Sequence, residues 1–234
     1  MIQISRASIL YLRVMLSASV CAIAAAGCLE PPGEPGGTRG TASDDTAAVT
    51  VPEGARLVRT LAELPGDMGR PPKDGIIAEA AANVPPGFGC TALYGIMATG
   101  SGLFVSAEFG YPGGYNGMLR ARNPWIGPWE TFRLCTDNIH WIIDAWGSGL
   151  WVSAELGYGG GDWAMLRARA SQVGPWEQFR LYCFTDGTCA FQNGPNGLLV
   201  AAEFGYDGDH NGMLRARTGG LTVGAWERFN FVAR

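Results

Sequence analysis

Apolar and other residues alternate with a period of two in a short segment that occurs three times in the chain. In the first copy Leu103, Val105 and Ala107 share one face of a predicted β-strand, because strand side chains alternate between faces. The same Leu, Val and Ala set recurs at 150, 152, 154 and at 198, 200, 202. At one of the varying positions the copies have Phe104, Trp151 and Leu199. We therefore predict strands with a shared core face and a freer exterior.

Two further segments recur in the same order, so the repeat extends over a whole structural unit. Met-Leu-Arg-Ala-Arg occurs at 118–122, 165–169 and 213–217, and Trp-Glu-x-Phe begins at 129, 176 and 226, with a period of 47 to 50 residues. Another strand is predicted before the first segment of each copy, at 90–98, 139–145 and 188–192. A fourth follows the Trp-Glu pair, at 132–135 in the first copy.

Twelve predicted strands in three repeats favour a closed structure. One unit of this size buries too little apolar surface to be stable alone, whereas three around a pseudo-threefold axis can close a barrel without free edges. Open stacks carry more copies, and propellers usually have about four to eight blades. We predict an all-β fold, a β-trefoil with repeats at about 88–135, 136–183 and 184–234.

The N-terminal residues have the pattern of an export signal. Arg6 and Arg13 precede an uncharged stretch at 14–26 that is too short to cross a bilayer, and small residues lead to Cys28. This pattern resembles the signal of bacterial lipoproteins, in which cleavage precedes a cysteine that is lipid-modified. We predict a signal peptide at 1–27 and a lipid anchor at Cys28, which would tether the protein without spanning the membrane. An ordinary secretory signal is the alternative.

Residues 28–87 are predicted to be a tether and spacer. Proline, glycine and small polar residues dominate up to about residue 50 and bury too little surface to fold. Short helices are predicted at 55–64 and 75–83, because prolines at 65, 71, 72, 85 and 86 prevent longer elements. A cap over one end of the domain is the alternative role for this stretch.

The repeated segments are similar to those of the fascin-like β-trefoil family. The likeness is carried by Gly-Leu-Phe-Val-Ser-Ala-Glu at 102–108 and by Gly-Pro-Trp-Glu-x-Phe at 127–132 and 174–179, with Ala225 replacing proline in the third copy. It covers residues 88–234 and implies a β-trefoil. Some members bundle actin with several such domains, and others are single domains on secreted bacterial enzymes that look like carbohydrate-binding modules. One domain behind an export signal resembles the second group.

Each repeat also carries one glutamate and two arginines at matching positions. In the first repeat a hairpin would place Glu108 across from Arg120 and Arg122, where opposite charges stabilise each other. The sets could form three anion sites, but packing requirements recur in every repeat and ligand contacts need not. We interpret the Glu-Arg sets as ion pairs that stabilise the fold, and we expect the Trp-Glu pair to stabilise the turn that follows.

The glycine-rich loops between the first and second segments are the candidate binding sites. Aromatic rings beside Asp and Asn suit sugars, because apolar sugar faces stack on rings while carboxylates and amides bind hydroxyls, and loops on a rigid scaffold commonly carry such groups. The candidates are Tyr111, Tyr115, Asn116, Tyr158, Asp162, Trp163, Tyr206, Asp207, Asp209, His210 and Asn211. The tyrosines at 111, 158 and 206 recur and are slightly better explained by rim packing. Tyr115, Trp163 and His210 differ between copies and favour function.

Composition narrows the range of functions. Hydrophobic residues make up 47% and charged residues 16% of the chain, with 35 glycines, which is typical of a turn-rich β protein with a core. The net charge of −4 and a single lysine indicate no nucleic-acid partner. His140 and His210 lie at different repeat positions without zinc-type spacing or a nucleophile motif. We predict no catalytic site, no metal and no cofactor.

The third loop, at 207–212, has the oxygen-ligand spacing with which an EF-hand calcium loop begins. The closing glutamate of such a loop would fall on Thr218, and no helices are predicted on either side. The motif is therefore half complete, and calcium is not expected.

Four cysteines remain in the repeat region, and an even number suits an oxidising compartment. They are Cys90, Cys135, Cys183 and Cys189, and three pairings are possible. We favour Cys183–Cys189, which would bridge a tight connection between repeats, and Cys90–Cys135, which would join the first and last strands of repeat one. Metal binding is the lesser interpretation because there is no Cys-x-x-Cys pair.

These features predict an exported monomer, lipid-anchored in a bacterial cell envelope, that binds without catalysis. Its ligand is predicted to be a glycan, held by the loops. A structural or protein-docking module of the envelope is the alternative, and an enzyme is less favoured.

Overall fold

The structure, a computed structural model, describes residues 51–69, 83–220 and 222–234. The predicted signal peptide, Cys28 and residues 75–82 of a predicted helix lie outside these ranges. No helix within them is long and apolar enough to cross a membrane.

Thirteen strands are present in the described ranges. They are β1 (Ala55–Val58), β2 (Gly89–Ala98), β3 (Leu103–Glu108), β4 (Met118–Asn123), β5 (Thr131–Thr136), β6 (Trp141–Ala145), β7 (Leu150–Ala154), β8 (Leu166–Ala170), β9 (Phe179–Phe184), β10 (Cys189–Asn193), β11 (Leu199–Glu203), β12 (Met213–Thr218) and β13 (Phe229–Ala233). Short 3-10 helices occupy Leu61–Glu63, Gly113–Tyr115, Pro128–Glu130, Gly160–Asp162, Pro175–Glu177 and Gly208–His210. The predicted four strands of each repeat are confirmed as β2–β5, β6–β9 and β10–β13, with bounds that differ by one or two residues.

The first and fourth strands of the repeats form a closed barrel. Antiparallel pairings run from β2 to β5, β5 to β6, β6 to β9, β9 to β10, β10 to β13 and from β13 back to β2. Each of these six strands has a partner on both sides, although β6 meets β9, and β10 meets β13, in a single residue pair.

The second and third strands of each repeat form a hairpin, and the three hairpins make a triangular cap. The hairpins are β3–β4, β7–β8 and β11–β12. Single backbone pairs join them in a cycle: Met213 with Arg120, Met118 with Arg167, and Met165 with Arg215. Barrel and cap together confirm the predicted all-β β-trefoil, and they bring the three hairpin loops to the pseudo-threefold axis.

The repeated valine and alanine positions form the centre of the core. They are Val105, Ala107, Val152, Ala154, Val200 and Ala202, and each is at most 1% exposed. The phenylalanines of the three Trp-Glu-x-Phe segments, at 132, 179 and 229, are equally buried. The leucines at 103, 150 and 198 are only half-buried. The predicted core face is thus confirmed for valine and alanine.

The other face of this segment is less free than the alternation predicts. A β-bulge shifts the register at the same place in every repeat, directly before the buried valine. A bulge adds a residue to one strand and so breaks strict alternation. Trp151 and Leu199, which precede the bulge, are buried, each in a small cluster beside the main core, whereas Phe104 is half-buried.

The helix predicted at 55–64 is wrong. β1 pairs antiparallel with residues 181–184 of β9, and a single 3-10 turn at Leu61–Glu63 follows. β9 meets β6 in only one residue pair, so β1 covers an edge that β6 leaves open. The Trp141 indole Nε1–H donates to the Val58 carbonyl at 2.7 Å. These contacts give residues 55–58 a structural role within the domain.

Both favoured disulfides are present. Cys90–Cys135 joins β2 to β5, and Cys183–Cys189 joins β9 to β10. The first links the outer strands of repeat one, and the second spans the connection between repeats two and three, as the sequence predicted. Two disulfides are compatible with an oxidising compartment.

Every predicted Glu-Arg set forms an ion-pair cluster with a buried glutamate. The sets are Glu108 with Arg120 and Arg122, Glu155 with Arg167 and Arg169, and Glu203 with Arg215 and Arg217. Glu155 contacts Arg169 Nε and lies 3.7 Å from Arg167 Nη1. Burial raises the pKa of Glu155, and the two arginines oppose this shift. Such a cluster gains little net stability, but loss of one partner leaves a buried charge uncompensated.

We expect the charge reversal Glu155→Arg to lower the free energy of unfolding by about 3 kcal/mol or more, because a third guanidinium would enter a buried site. Urea unfolding followed by circular dichroism measures this change. Glu53→Arg, at an exposed position, is the control and should stay within about 0.5 kcal/mol. An unchanged unfolding midpoint in the Glu155 variant would contradict the structural role.

Candidate functional site

The three hairpin loops, at 110–117, 157–164 and 205–212, have equal length and surround a methionine floor. The floor consists of Met118, Met165 and Met213, which are at most 1% exposed and contact one another. Tyrosines at 111, 115 and 158 pack against it from the loops. The loops therefore build one surface around the axis, and the methionines supply its apolar base.

Three different residues at the same loop position meet above this floor. The Tyr115 hydroxyl donates to Asp162 Oδ2 at 2.8 Å, and His210 Nε2 lies 2.9 Å from Asp162 Oδ1. The Tyr115 and His210 rings make an edge-to-face contact with centroids 5.9 Å apart. We call Tyr115, Asp162 and His210 the axial cluster. A position at which the repeats differ thus becomes a single polar site with one contribution from each repeat.

The hydrogen bond between Tyr115 and Asp162 changes the acidity of the phenol. Donation to the Asp162 carboxylate raises the pKa of Tyr115, with smaller contributions from desolvation and from the negative charges of Asp162 and Asp209. A raised pKa in the folded state means that the bond contributes stability below the ordinary tyrosine pKa and loses it as pH rises through the raised value.

Arginines of the cap fasten the first and third loops to a neighbouring repeat. Arg120 Nε donates to the Asn211 carbonyl at 3.1 Å, and Arg167 Nε and Nη2 donate to the Asn116 carbonyl at 3.0 and 2.8 Å. The amide oxygens of the two asparagines accept from backbone N–H groups of their own loops, at 2.9 and 3.1 Å. These two predicted ligand-binding residues therefore hold the loops in shape.

The second loop departs from this arrangement. Trp163 replaces the asparagine and packs half-buried against the main core, and Ala164 replaces the following glycine at a positive φ of 59°. Arg215, whose counterparts bind the asparagine carbonyls, instead directs its Nε towards the Met213 sulfur at 3.3 Å. Its Nη1 forms the ion pair with Glu203 Oε2 at 3.4 Å without hydrogen-bond geometry, and its Nη2 has no hydrogen-bond partner among the described residues. The loop that supplies Asp162 is thus anchored by a core contact.

A cavity of about 400 Å³ opens beside the axial cluster, between the first and second loops. It is lined by Gly114, Tyr115, Gly157, Tyr158, Gly159, Asp162 and Met165. The Tyr158 hydroxyl is fixed by a hydrogen bond from Arg167 Nη1 at 2.7 Å, so its ring is held at the wall. The three glycines of the lining have no side chains, so they do not obstruct the rest of the cavity. The cavity offers two aromatic rings and one carboxylate, which suits a ligand with both apolar faces and hydroxyls.

The other predicted residues lie on the same side of the cap but outside this cavity. The Tyr111 hydroxyl donates to Asp209 Oδ1 at 3.2 Å. The exposed Tyr206 accepts a hydrogen bond from Arg217 at 2.7 Å, and Asp207 is exposed. Within the described ranges, no three Asp, Glu, His or Cys side chains are grouped so that they could hold a metal ion, and the Asp207–Asp209 pair forms no such group.

Sequence reasoning missed the exposed tryptophans. Trp129, Trp176 and Trp226 are 51%, 38% and 47% exposed. The neighbouring glutamates do close the turn, as predicted, by accepting backbone N–H bonds from the glycine three residues earlier, at 2.7 to 2.9 Å. The indoles themselves lie on the surface. Their recurrence suggested a packing role, and only the structure shows that the rings remain accessible.

No protein-family model and no curated protein sequence matches the chain. Among solved structures, the designed threefold-symmetric protein ThreeFoil aligns with a TM-score of 0.52 and 17% identity over 61% of this chain and 99% of its own. The ricin B-like lectin of Macrolepiota procera in complex with lactose aligns with a TM-score of 0.45 and 12% identity, and the Rhizoctonia solani agglutinin with 0.46 and 10%. Both alignments cover 61% of this chain and 95% of the other. At these identities the likeness shows the β-trefoil fold alone.

We expect Asp162→Asn to lower the pKa of Tyr115 towards its ordinary value, because an amide oxygen stabilises the phenol less than a carboxylate does. A pH titration of the tyrosine ring signals by NMR measures this shift. Tyr94, whose pKa is raised by burial elsewhere in the domain, is the internal control and should not change. A Tyr115 pKa that is the same in both proteins would show that Asp162 is not its acceptor.

Proposed function

We propose that the protein binds a saccharide in the cavity beside the axial cluster. The observation that carries this proposal is the cavity of about 400 Å³ in which two repeats place Tyr115, Tyr158 and the Asp162 carboxylate around one space. Ligand cavities commonly have volumes of roughly 300–1,000 Å³, so the space admits one or two sugar rings.

The chemistry of the cavity matches that of a sugar. The C–H faces of a pyranose are apolar and stack on aromatic rings, whereas its hydroxyls need fixed acceptors. An ionised carboxylate has about four lone-pair positions, and Asp162 uses two of them for Tyr115 and His210. The carboxylate is therefore positioned by its neighbours while it can still accept bonds from sugar hydroxyls.

Binding without hydrolysis is the function that this geometry favours. Glycoside hydrolysis usually employs two carboxyl groups that flank the scissile bond. Among the described residues that line the cavity, Asp162 is the single acid. A lone carboxylate held by a phenol and an imidazole serves recognition better than acid–base chemistry.

A glycan array with the full-length protein, followed by titration of the best-bound glycan, tests the proposal. We expect Tyr158→Ala to weaken binding roughly tenfold or more, since loss of one ring contact and one fixed wall corresponds to about 1.4 kcal/mol or more. Tyr206→Ala is the matched control: it removes the same repeat position in the third loop, outside the cavity, and should change affinity less than about twofold.

Equal losses in the two tyrosine variants would exclude the cavity as the binding site. Failure of the folded protein to bind any glycan of the array would favour the protein-docking alternative.

We also propose that the domain belongs to the fascin-like β-trefoils and is exported on a lipid anchor at Cys28. The repeated segments, the signal-like N-terminus and the two disulfides support this proposal. Metabolic labelling with radioactive palmitate in a bacterial host tests the anchor. The wild-type chain should be labelled and the Cys28→Ser chain should not. A wild-type chain without label, although exported, would indicate an ordinary secretory signal.

A further inference from the structure

A second cavity lies on the side of repeat two, away from the axis. Its volume is about 470 Å³, and it is bounded by β7, the end of β8 and the Trp-Glu turn that follows. Ser153, Arg169, Gln172, Trp176 and Glu177 contribute the polar and aromatic part of its wall. None of these residues lines the first cavity, between the first and second hairpin loops, which we call the loop site.

The equivalent place in repeat one is filled by a closed hydrogen-bond network. Ser106 Oγ donates to Glu130 Oε1 at 2.5 Å, and Asn123 Nδ2 donates to the same oxygen at 2.8 Å. Asn123 stands at the end of β4 opposite Phe104, where its side chain occupies the space beside the glutamate. The Ser106 hydroxyl and the Glu130 carboxylate therefore both have hydrogen-bond partners within the fold.

Repeat two keeps the serine and the glutamate but loses the asparagine. Ala170 stands at the position of Asn123, opposite Trp151. Ser153 is 1% exposed, and its Oγ has no hydrogen-bond partner among the described residues. A buried hydroxyl without a partner costs roughly 1–3 kcal/mol, so the fold retains an unfavourable group that faces a cavity. In repeat three Ala201 takes the place of the serine, so this combination is confined to repeat two within the described ranges.

Trp176 gives this cavity an aromatic wall. Its indole is 38% exposed. The ring lies close to the second hairpin loop: a methyl group placed on Gly157 would be 3.5 Å from its Cη2. Gly157 also lines the first cavity, so the two cavities are neighbours on either side of this contact.

The charges around this second cavity favour a neutral ligand. Arg169 and Arg167 are both directed at Glu155. Glu177 Oε2 accepts from the Gly174 N–H at 2.7 Å, and its other oxygen lacks the asparagine partner that Glu130 has in repeat one. The polar groups of the wall thus include the Ser153 hydroxyl, the Glu177 carboxylate and the half-exposed Arg169 guanidinium. The positive and negative charges offset each other, so the wall offers hydrogen bonds to hydroxyl groups and does not select a charged ligand.

We propose that the cavity of repeat two is a second saccharide site, in which a neutral pyranose stacks on Trp176 and bonds to Ser153 and Glu177. The class of ligand, though not the location of the site, rests on the proposed function.

The indole N–H signals of the full-length protein, observed by NMR, report directly on this site. The chain has eight tryptophans, and Trp176→Phe identifies the signal of residue 176. The probes are D-glucose, D-galactose, D-mannose and N-acetyl-D-glucosamine, each titrated in the millimolar range. We expect at least one of them to shift the Trp176 signal in a saturable manner. Trp129, at the same position in the filled site of repeat one, should not respond.

Ala170→Asn tests whether the absence of the asparagine leaves the second cavity open. The variant copies the arrangement of repeat one, in which the asparagine fills this space, and should preserve the fold. We expect it to weaken the Trp176 response at least tenfold and to leave the ring signals of Tyr158 unaffected. Ala170→Thr, which copies repeat three, is the second variant and should weaken the response in the same direction.

Separate signals distinguish failure of this site from failure of the loop site. The second site is overturned if no probe shifts the Trp176 signal, or if the Ala170 variants respond as strongly as the wild-type protein, even if Tyr158 responds. A saturable Trp176 response that persists in Tyr158→Ala supports the second site even if the loop site fails.

Discussion

Backbone hydrogen bonding around a closed ring is the constraint on which the rest of this molecule depends. Six barrel strands have partners on both sides, and three hairpins are joined in a cycle by single residue pairs. Because this closure carries a segment of each repeat to the same axis, residues almost fifty positions apart become neighbours. The axial cluster exists only as a consequence of that closure.

Threefold repetition also separates residues that maintain the fold from residues that are free to differ. The buried valines, alanines and phenylalanines occur in every repeat, since the same packing must be achieved three times. At the axis no such requirement applies. Tyr115, Asp162 and His210 occupy equivalent positions, yet they complement each other as donor, acceptor and ring. Departure from symmetry produces a site that three identical residues could not form, because three carboxylates would repel one another and three tyrosines would lack a charged acceptor.

The same reasoning applies to buried polar groups. Repeat one satisfies Ser106 and Glu130 internally, whereas repeat two retains the serine without its partner. Natural proteins rarely leave such groups unpaired, and an unpaired group beside a cavity points to an external partner. Both proposed sites thus arise where one repeat fails to copy another.

The sequence alone was enough to predict the repeats, their four strands, the β-trefoil and the Glu-Arg pairs, because alternation and recurrence can be read directly from the order of residues. It favoured the two disulfide pairs among three possible pairings, and the structure contains both of them. It also directed attention to the loop positions that vary. It could not show that Tyr115, Asp162 and His210 touch, since only closure of the cap places them together. β1 was predicted as a helix because the open edge of β9 that it covers is a tertiary feature. Whether a recurring tryptophan is buried or accessible, and whether a buried serine has a partner, were decided by the tertiary structure alone, because both depend on neighbours from distant parts of the chain.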